Sequence, residues 1–226
     1  MNKTPTAADA DLKERILLSA IEEFGRLGYD AASTNVIVQH AGVSKGLLFH
    51  YYGNKEKLFL ECINYTFSRI GDHFSEHFPF TDDDLFHRIR FSLSAKMDFY
   101  REHPMLMEFA SKLWDSEQKP EFEKLIRRMT GVAPATQERL SIELLPDSTF
   151  YFLISEADRS KLNDGVSLDV VVDSVSILLS ASWNRFAAKY GGDAFSLAGH
   201  LDEYLVEADV ILDLIRRGAY RDAMSP

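Results

Sequence analysis

Residues 34–58 read TNVIVQHAGVSKGLLFHYYGNKEKL, and the centre of that run, Ala41-Gly42-Val43-Ser44, decides the fold. Thr34 has a hydroxyl that can cap the free amides of a following turn, and Val36, Ile37 and Val38 lead to Ala41 with helical periodicity. Gly42 breaks that helix and Ser44 is placed to cap the next. Two helices that meet steeply need a small residue, a glycine free to take positive φ, an apolar plug and a new cap, in that order. The spacing predicts a helix-turn-helix over Thr34 to Tyr51.

The same 3.6-residue period runs outward from it in both directions. Upstream, Leu12, Ile16, Ala20, Phe24 and Leu27 form one stripe that ends at Gly28, a residue suited to a left-handed C-terminal cap. Downstream, Asn54 caps a long helix with the stripe Leu58, Cys62, Phe67, Ile70 and Phe74, reaching about His77 before Pro79. Further helices are expected at about 82–102, 104–116, 119–130 and 135–157, with Pro104, Pro120 and Pro134 as punctuation. After the turn-rich stretch 161–167 come two amphipathic helices, at about 168–190 and 198–217. Strand patterns are scarce. The expected class is all-α, with about nine to ten helices: residues 1–54 as a helix-turn-helix domain and 55–226 as a second, helical domain.

Composition narrows the function classes. The 226 residues are 46% apolar, enough to bury a core. A single cysteine, Cys62, cannot form an internal disulfide, and the first ten residues lack the apolar segment of a secretory signal, so a reducing cytoplasm is expected. The most apolar stretch, 170–188, is interrupted by Asp173 and Arg185, well short of the roughly 20 uncharged residues of a membrane span. Net charge is −10, yet residues 1–57 carry seven basic and seven acidic residues, so the whole acidic excess lies after residue 57. No cofactor motif stands out: there is no nucleotide loop, nucleophile elbow or paired carboxylate.

Two features point to chemistry. The run Ser44-Lys45-Gly46-Leu47-Leu48-Phe49-His50-Tyr51 has the form of a recognition helix, with free amides, a hydroxyl and a lysine at its start for phosphate. Leu48 and Tyr52 are expected on the supporting platform; Leu47, His50 and Tyr51 are expected to face a DNA groove, and Lys55 is placed for a second phosphate or is a solvated lysine. Separately, His73-Phe74-Ser75-Glu76-His77 matches the H-x-x-E-H spacing of some zinc peptidases, which makes a metal-dependent hydrolase using His73, Glu76 and His77 the alternative.

Over residues 28–58 the chain resembles the tetracycline-repressor (TetR) family of bacterial regulators. Thr34, Ile37, Ala41 to Gly46, Phe49 to Tyr52 and Asn54 to Leu58 carry the resemblance. It implies a homodimer on palindromic operator DNA, nucleoid-associated when bound, released when a small effector binds the helical body and moves the fourth helix. Carried over residue by residue, Thr34, Ser44, Lys45, Gly46, Phe49, His50 and Lys55 would meet DNA, with Leu47 and Tyr51 added from the pattern above. Phe49 departs from the family, which usually has a tyrosine there whose hydroxyl bonds phosphate.

In the body, an apolar or aromatic effector is expected among Phe67, Phe91, Met97, Tyr100, Met107, Trp114, Tyr151, Trp183 and Phe186, each of which could equally be ordinary core. Val175, Leu179, Tyr204, Ala208, Ile211, Leu212 and Ile215 are expected to form the dimer surface, the alternative being that these stripes pack on their own chain.

Overall fold

The computed structural model describes residues 7–77, 84–114 and 156–221; the helix expected at 119–130, and most of that at 135–157, lie outside them. The described residues form ten α-helices and no strand: α1 Ala7–Ala31, α2 Thr34–Ala41, α3 Lys45–Tyr52, α4 Lys55–His77, α5 Leu85–Glu102, α6 Pro104–Trp114, α7 Glu156–Lys161, α8 Leu168–Lys189, α9 Ala194–Ala198 and α10 Leu201–Ala219. Among them no helix is long and apolar enough to cross a membrane.

The chain divides into two compact units. The first holds α1 to α3, α4 as far as Asp72, and α6; the second holds the last turn of α4, α5 and α7 to α10. The first unit therefore takes in more chain than the expected 1–54, because α1 packs against α6 as well as α2. Its core is aromatic: Phe24, fully buried, lies 4.8 Å edge-on to Phe59, and Phe59 lies 5.7 Å from Phe109. Cys62 is fully buried on α4, where burial pushes its thiol pKa well up and keeps it inert.

Local signals explain the helix ends. The first helix departs from helical geometry at Gly28, where φ is 75° and ψ is 176°, as its glycine predicts. The expected cap at Thr34 is displaced by one residue. Ser33 is the N-cap and makes no side-chain cap; its backbone N–H instead donates to Glu23 Oε1 at 3.1 Å. Glu23 is buried, which alone would raise its pKa, but the bonds from Arg26 (3.0 Å) and Ser33 outweigh this and hold it below the usual value. Gly42 takes φ 64° and ψ 37°, and the amides of Gly42 and Val43 close back on Gln39 O and Val38 O at 3.2 and 3.0 Å. This pair of bonds is the Schellman arrangement, which only a left-handed residue permits. Ser44 Oγ then accepts from Leu47 N at 3.2 Å, and Asn54 Oδ1 from Lys57 N at 2.8 Å.

The second unit is held by helix packing and by buried charge. Asp84 caps α5 through His87 N at 3.0 Å and accepts two bonds from Arg216 of α10, at 2.8 and 3.1 Å. Arg88 pairs with the fully buried Asp158. The chain closes beside them: Leu162 bridges Tyr220, whose ring sits 5.1 Å from Phe86 and whose phenol burial pushes up to about 12.

Two outcomes are expected. Gly42→Ala forces a Cβ into the left-handed region and to 2.9 Å from Arg15 Nη2; urea denaturation will record a loss of about 1–2 kcal/mol, and less for Gly42→Asn. Asp84 is burdened by burial but favoured more by Arg216 and His87 N–H, so its folded pKa lies below the unfolded 3.8. Its contribution is therefore complete above that value and fades as pH falls through the lower folded value. Asp84→Asn will flatten the acid limb of the stability–pH curve, measured by denaturant melts from about pH 2 to 7.

Candidate nucleic-acid interface

The recognition helix α3 has eight residues, below the roughly 12–15 at which isolated helices hold together, so its platform must fix it. Leu48 does so by complete burial, and Tyr52 by donating its hydroxyl to Lys13 O at 2.8 Å. Burial keeps the Tyr52 phenol pKa above its usual value, so the proton for that bond is retained. Both residues sit where the sequence puts them, on the supporting side.

The opposite side carries the candidate contacts. Ser44, Lys45, Gly46 and His50 are exposed; Leu47, Phe49, Tyr51, Lys55 and Thr34 are half-buried. Lys45 Nζ donates to Asn35 Oδ1 at 2.9 Å and lies 6.0 Å from the Phe49 ring centre. Lys55 is not a freely solvated lysine: Nζ donates to Asp30 O at 3.1 Å and sits 4.8 Å from the Tyr29 ring centre. Burial lowers its pKa, with Asp30 and Glu23 opposing. Each ammonium has three donors and spends one on these contacts, which leaves others for an anion. Tyr51 donates its hydroxyl to Asp9 Oδ1 at 2.9 Å, and Lys13 Nζ lies 5.3 Å from its ring centre.

Sequence reasoning missed Asn35, Asp9 and Lys13. Asn35 is exposed, and since lysine can only donate, its amide oxygen must face Lys45, turning its N–H groups outward. Asp9 and Lys13 share a face of α1 by their four-residue spacing, but nothing local in the sequence brings that face to α3.

The body residues fall out differently. Met97, Tyr100, Trp183 and Phe186 are buried in the second unit, with Tyr100–Trp183 and Trp183–Phe186 ring centres each 5.5 Å apart. Met107 is buried and Phe67 half-buried in the first unit, while Phe91 is exposed; the Trp114 side chain and Tyr151 lie outside the described residues.

The dimer stripe needs correction. Val175, Leu179, Tyr204, Ala208 and Leu212 are buried within their own chain, with Tyr204 packed edge-on in the aromatic cluster 5.0 Å from Trp183, so they have no face to offer a partner. Ile211 and Ile215 are half-buried. The exposed apolar residues of α8 and α10 are others: Val170, Ile177, Leu178, Val206, Val210 and Leu214, with Ile177, Val206 and Leu214 each about two-thirds exposed, at 66–67%. Both faces of α10 have helical spacing, and periodicity cannot say which one the chain itself covers.

His73 is buried and its Nε2 lies 2.9 Å from Ala95 O, with the Phe99 ring 5.2 Å away. That contact commits one ring nitrogen to packing α4 on α5. The side chains of Glu76 and His77 lie outside the described residues, and among those described no group of three ligands could hold a metal.

The helix-turn-helix is also what known proteins share with this chain. Residues 16–62 match the family model of bacterial regulatory proteins, tetR family. An HTH-type transcriptional repressor, AcnR, of Corynebacterium jeikeium is 45% identical over 71 residues, 30% of this chain and 38% of that protein. The AcnR of Corynebacterium diphtheriae is 25% identical over 212 residues, covering 91% and 96% of the two chains. The match to the first of these spans little over a third of its length, so the strong likeness is that of the amino-terminal domain. In fold, a TetR family transcriptional regulator from Chloroflexus aurantiacus superposes with a TM-score of 0.64 at 19% identity, over 94% of each chain. The helix-turn-helix segment, residues 16–62, is thus matched in sequence to bacterial regulatory proteins of the tetR family, and the likeness to the solved structure is one of fold.

Proposed function

We propose that the protein is a ligand-responsive transcription repressor, working in the bacterial cytoplasm, that binds a palindromic operator as a homodimer and is released by a small apolar or aromatic effector. The observation that carries this is α3: a short helix with a capped N-terminus, rooted by Leu48 and Tyr52, that turns Lys45, Gly46, Leu47 and His50 outward. A helix N-terminus gathers anions, so Ser44, Lys45 and the first amides of α3 hold one phosphate. Lys55, at the start of α4, holds another. Thr34 and the outward amide of Asn35 extend the backbone grip along α2. Phe49 gives no hydroxyl to phosphate and contributes its ring to Lys45 instead.

One helix-turn-helix reads only half of an operator, and half-sites about one helical turn apart, roughly 34 Å, require a dimer. The partner surface is the exposed face of α8 and α10: Val170, Ile177, Leu178, Val206, Val210 and Leu214. Left in water these would be an unusually apolar stripe, and a second copy covers them by a four-helix packing. The effector is held by the aromatic cluster about Tyr100, Trp183 and Phe186. Because α4 roots Leu58 and Cys62 in the first unit and His73 in the second, it is the element an effector would bias. Reversing a strong bias takes about 5.5 kcal/mol of differential affinity between the two states.

Gel shift with DNA upstream of the gene tests the reading. Lys45→Ala and Lys55→Ala should each weaken binding evenly across sequences and, with two copies in the dimer, reduce the slope of log affinity against log salt by about 1.8; an unchanged slope in both, or no shift by the wild type, refutes it. Sedimentation tests the dimer face. Val210→Asp should sediment as a folded monomer, whereas Leu212→Ala should instead lower stability by about 2–5 kcal/mol with assembly retained.

A further inference from the structure

Tyr51 and Asp9 meet across 42 residues of sequence, with the phenol oxygen 2.9 Å from Asp9 Oδ1. An ionised carboxylate has no proton to give, so the phenol must be the donor. That bond and the adjoining negative charge raise the pKa of the Tyr51 phenol, which stays protonated. A hydroxyl has one proton. Once it is committed to Asp9, Tyr51 offers any other group only its lone pairs.

This restricts what Tyr51 can read. Phosphate oxygens are acceptors, as are guanine N7 and O6, adenine N7 and thymine O4; none can pair with an acceptor. Only two major-groove groups donate, the N6 amine of adenine and the N4 amine of cytosine. The position suits such a contact: Tyr51 is half-exposed and its ring lies 5.3 Å from that of the exposed His50. The Lys13 ammonium, 5.3 Å from the Tyr51 ring centre, sets a positive charge beside that ring, which favours the approach of a polyanion. The neighbouring bond from Tyr52 to Lys13 O fixes the last turn of α3 against the same stretch of α1.

We infer that Asp9 is a positioning residue that makes Tyr51 an acceptor-only reader of one amine-bearing base, adenine or cytosine, in each half-site. This rests on the DNA-reading function proposed above. The polarity of the contact comes from the first turn of α1, outside the helix-turn-helix itself.

The test begins by selecting binding sites from a random duplex pool with the wild-type protein. Anisotropy titrations then compare wild type, Tyr51→Phe and Asp9→Ala on the selected duplex and on copies in which one adenine is replaced by purine, or one cytosine by 2-pyrimidinone, so that a single amine is lost. These replacements also weaken the base pair, so the readout is the ratio between wild type and variant on the same duplex. At one position per half-site the wild type should lose about fivefold, one hydrogen bond's worth. Both variants should lack that discrimination at that position and keep the wild-type salt slope. If neither variant changes the preference at any position, the inference is wrong. Equally, if Tyr51→Phe weakens every duplex alike and flattens the salt slope, Tyr51 is a phosphate contact and the inference fails. A wild type that selects no sequence sinks the DNA-reading proposal itself, and the inference with it. The modified duplexes probe the wild type directly, and circular dichroism separates a variant that has lost its fold from one that has lost a contact.

Discussion

An eight-residue helix does not hold itself together in water, and both α2 and α3 are that short. Their existence depends on what lies under them. Ile37, Ala41 and Leu48 are buried to within 2% of completely, and the underlying α1 is in turn fixed by Phe24 against Phe59 and by Phe59 against Phe109. The buried carboxylate of Glu23 ties the end of α1 to the entry of α2, where a side-chain cap is absent. Helical propensity is secondary here; α2 and α3 are surface features of a packed aromatic core. This is how a DNA-reading element should be built, because a helix that frays cannot hold side chains in register with base edges.

The same dependence reaches the chemistry of the exposed side. Lysine can only donate and carboxylate can only accept, so each intramolecular bond fixes what its partner has left to offer. Lys45 turns the Asn35 amide outward as a donor, and Asp9 takes the Tyr51 proton. Lys55 is held against Asp30 and Tyr29. The outward face is thus a set of groups whose hydrogen-bond sense is set from behind, by residues that need never touch DNA.

In the second unit the organising feature is a helix with two apolar faces. One face of α10, Tyr204, Ala208 and Leu212, is used up inside the chain, where Tyr204 meets Trp183. The other, Val206, Val210 and Leu214, is exposed. Ion pairs flank it: Arg90 with Asp209 and Asp213, and Arg185 with Glu207. Such surface pairs add little stability individually, but they give the exposed apolar strip a charged border.

The sequence by itself determined the helical class, the helix-turn-helix and its turn, because these rest on local rules. Gly42 is where positive φ is needed, Ser44 and Asn54 cap the helices that follow them, and the 3.6-residue period marks α1, α4, α8 and α10. Leu48 and Tyr52 were legible as platform residues for the same reason. Capping at Ser33 was not, since it depends on a carboxylate ten residues upstream. Tertiary structure alone decided which face of α10 is covered, that His73 packs on Ala95 O, and that Asp9 and Lys13 stand beside Tyr51. Periodicity fixes which residues share a helix face, but only the packing of distant segments fixes what that face meets.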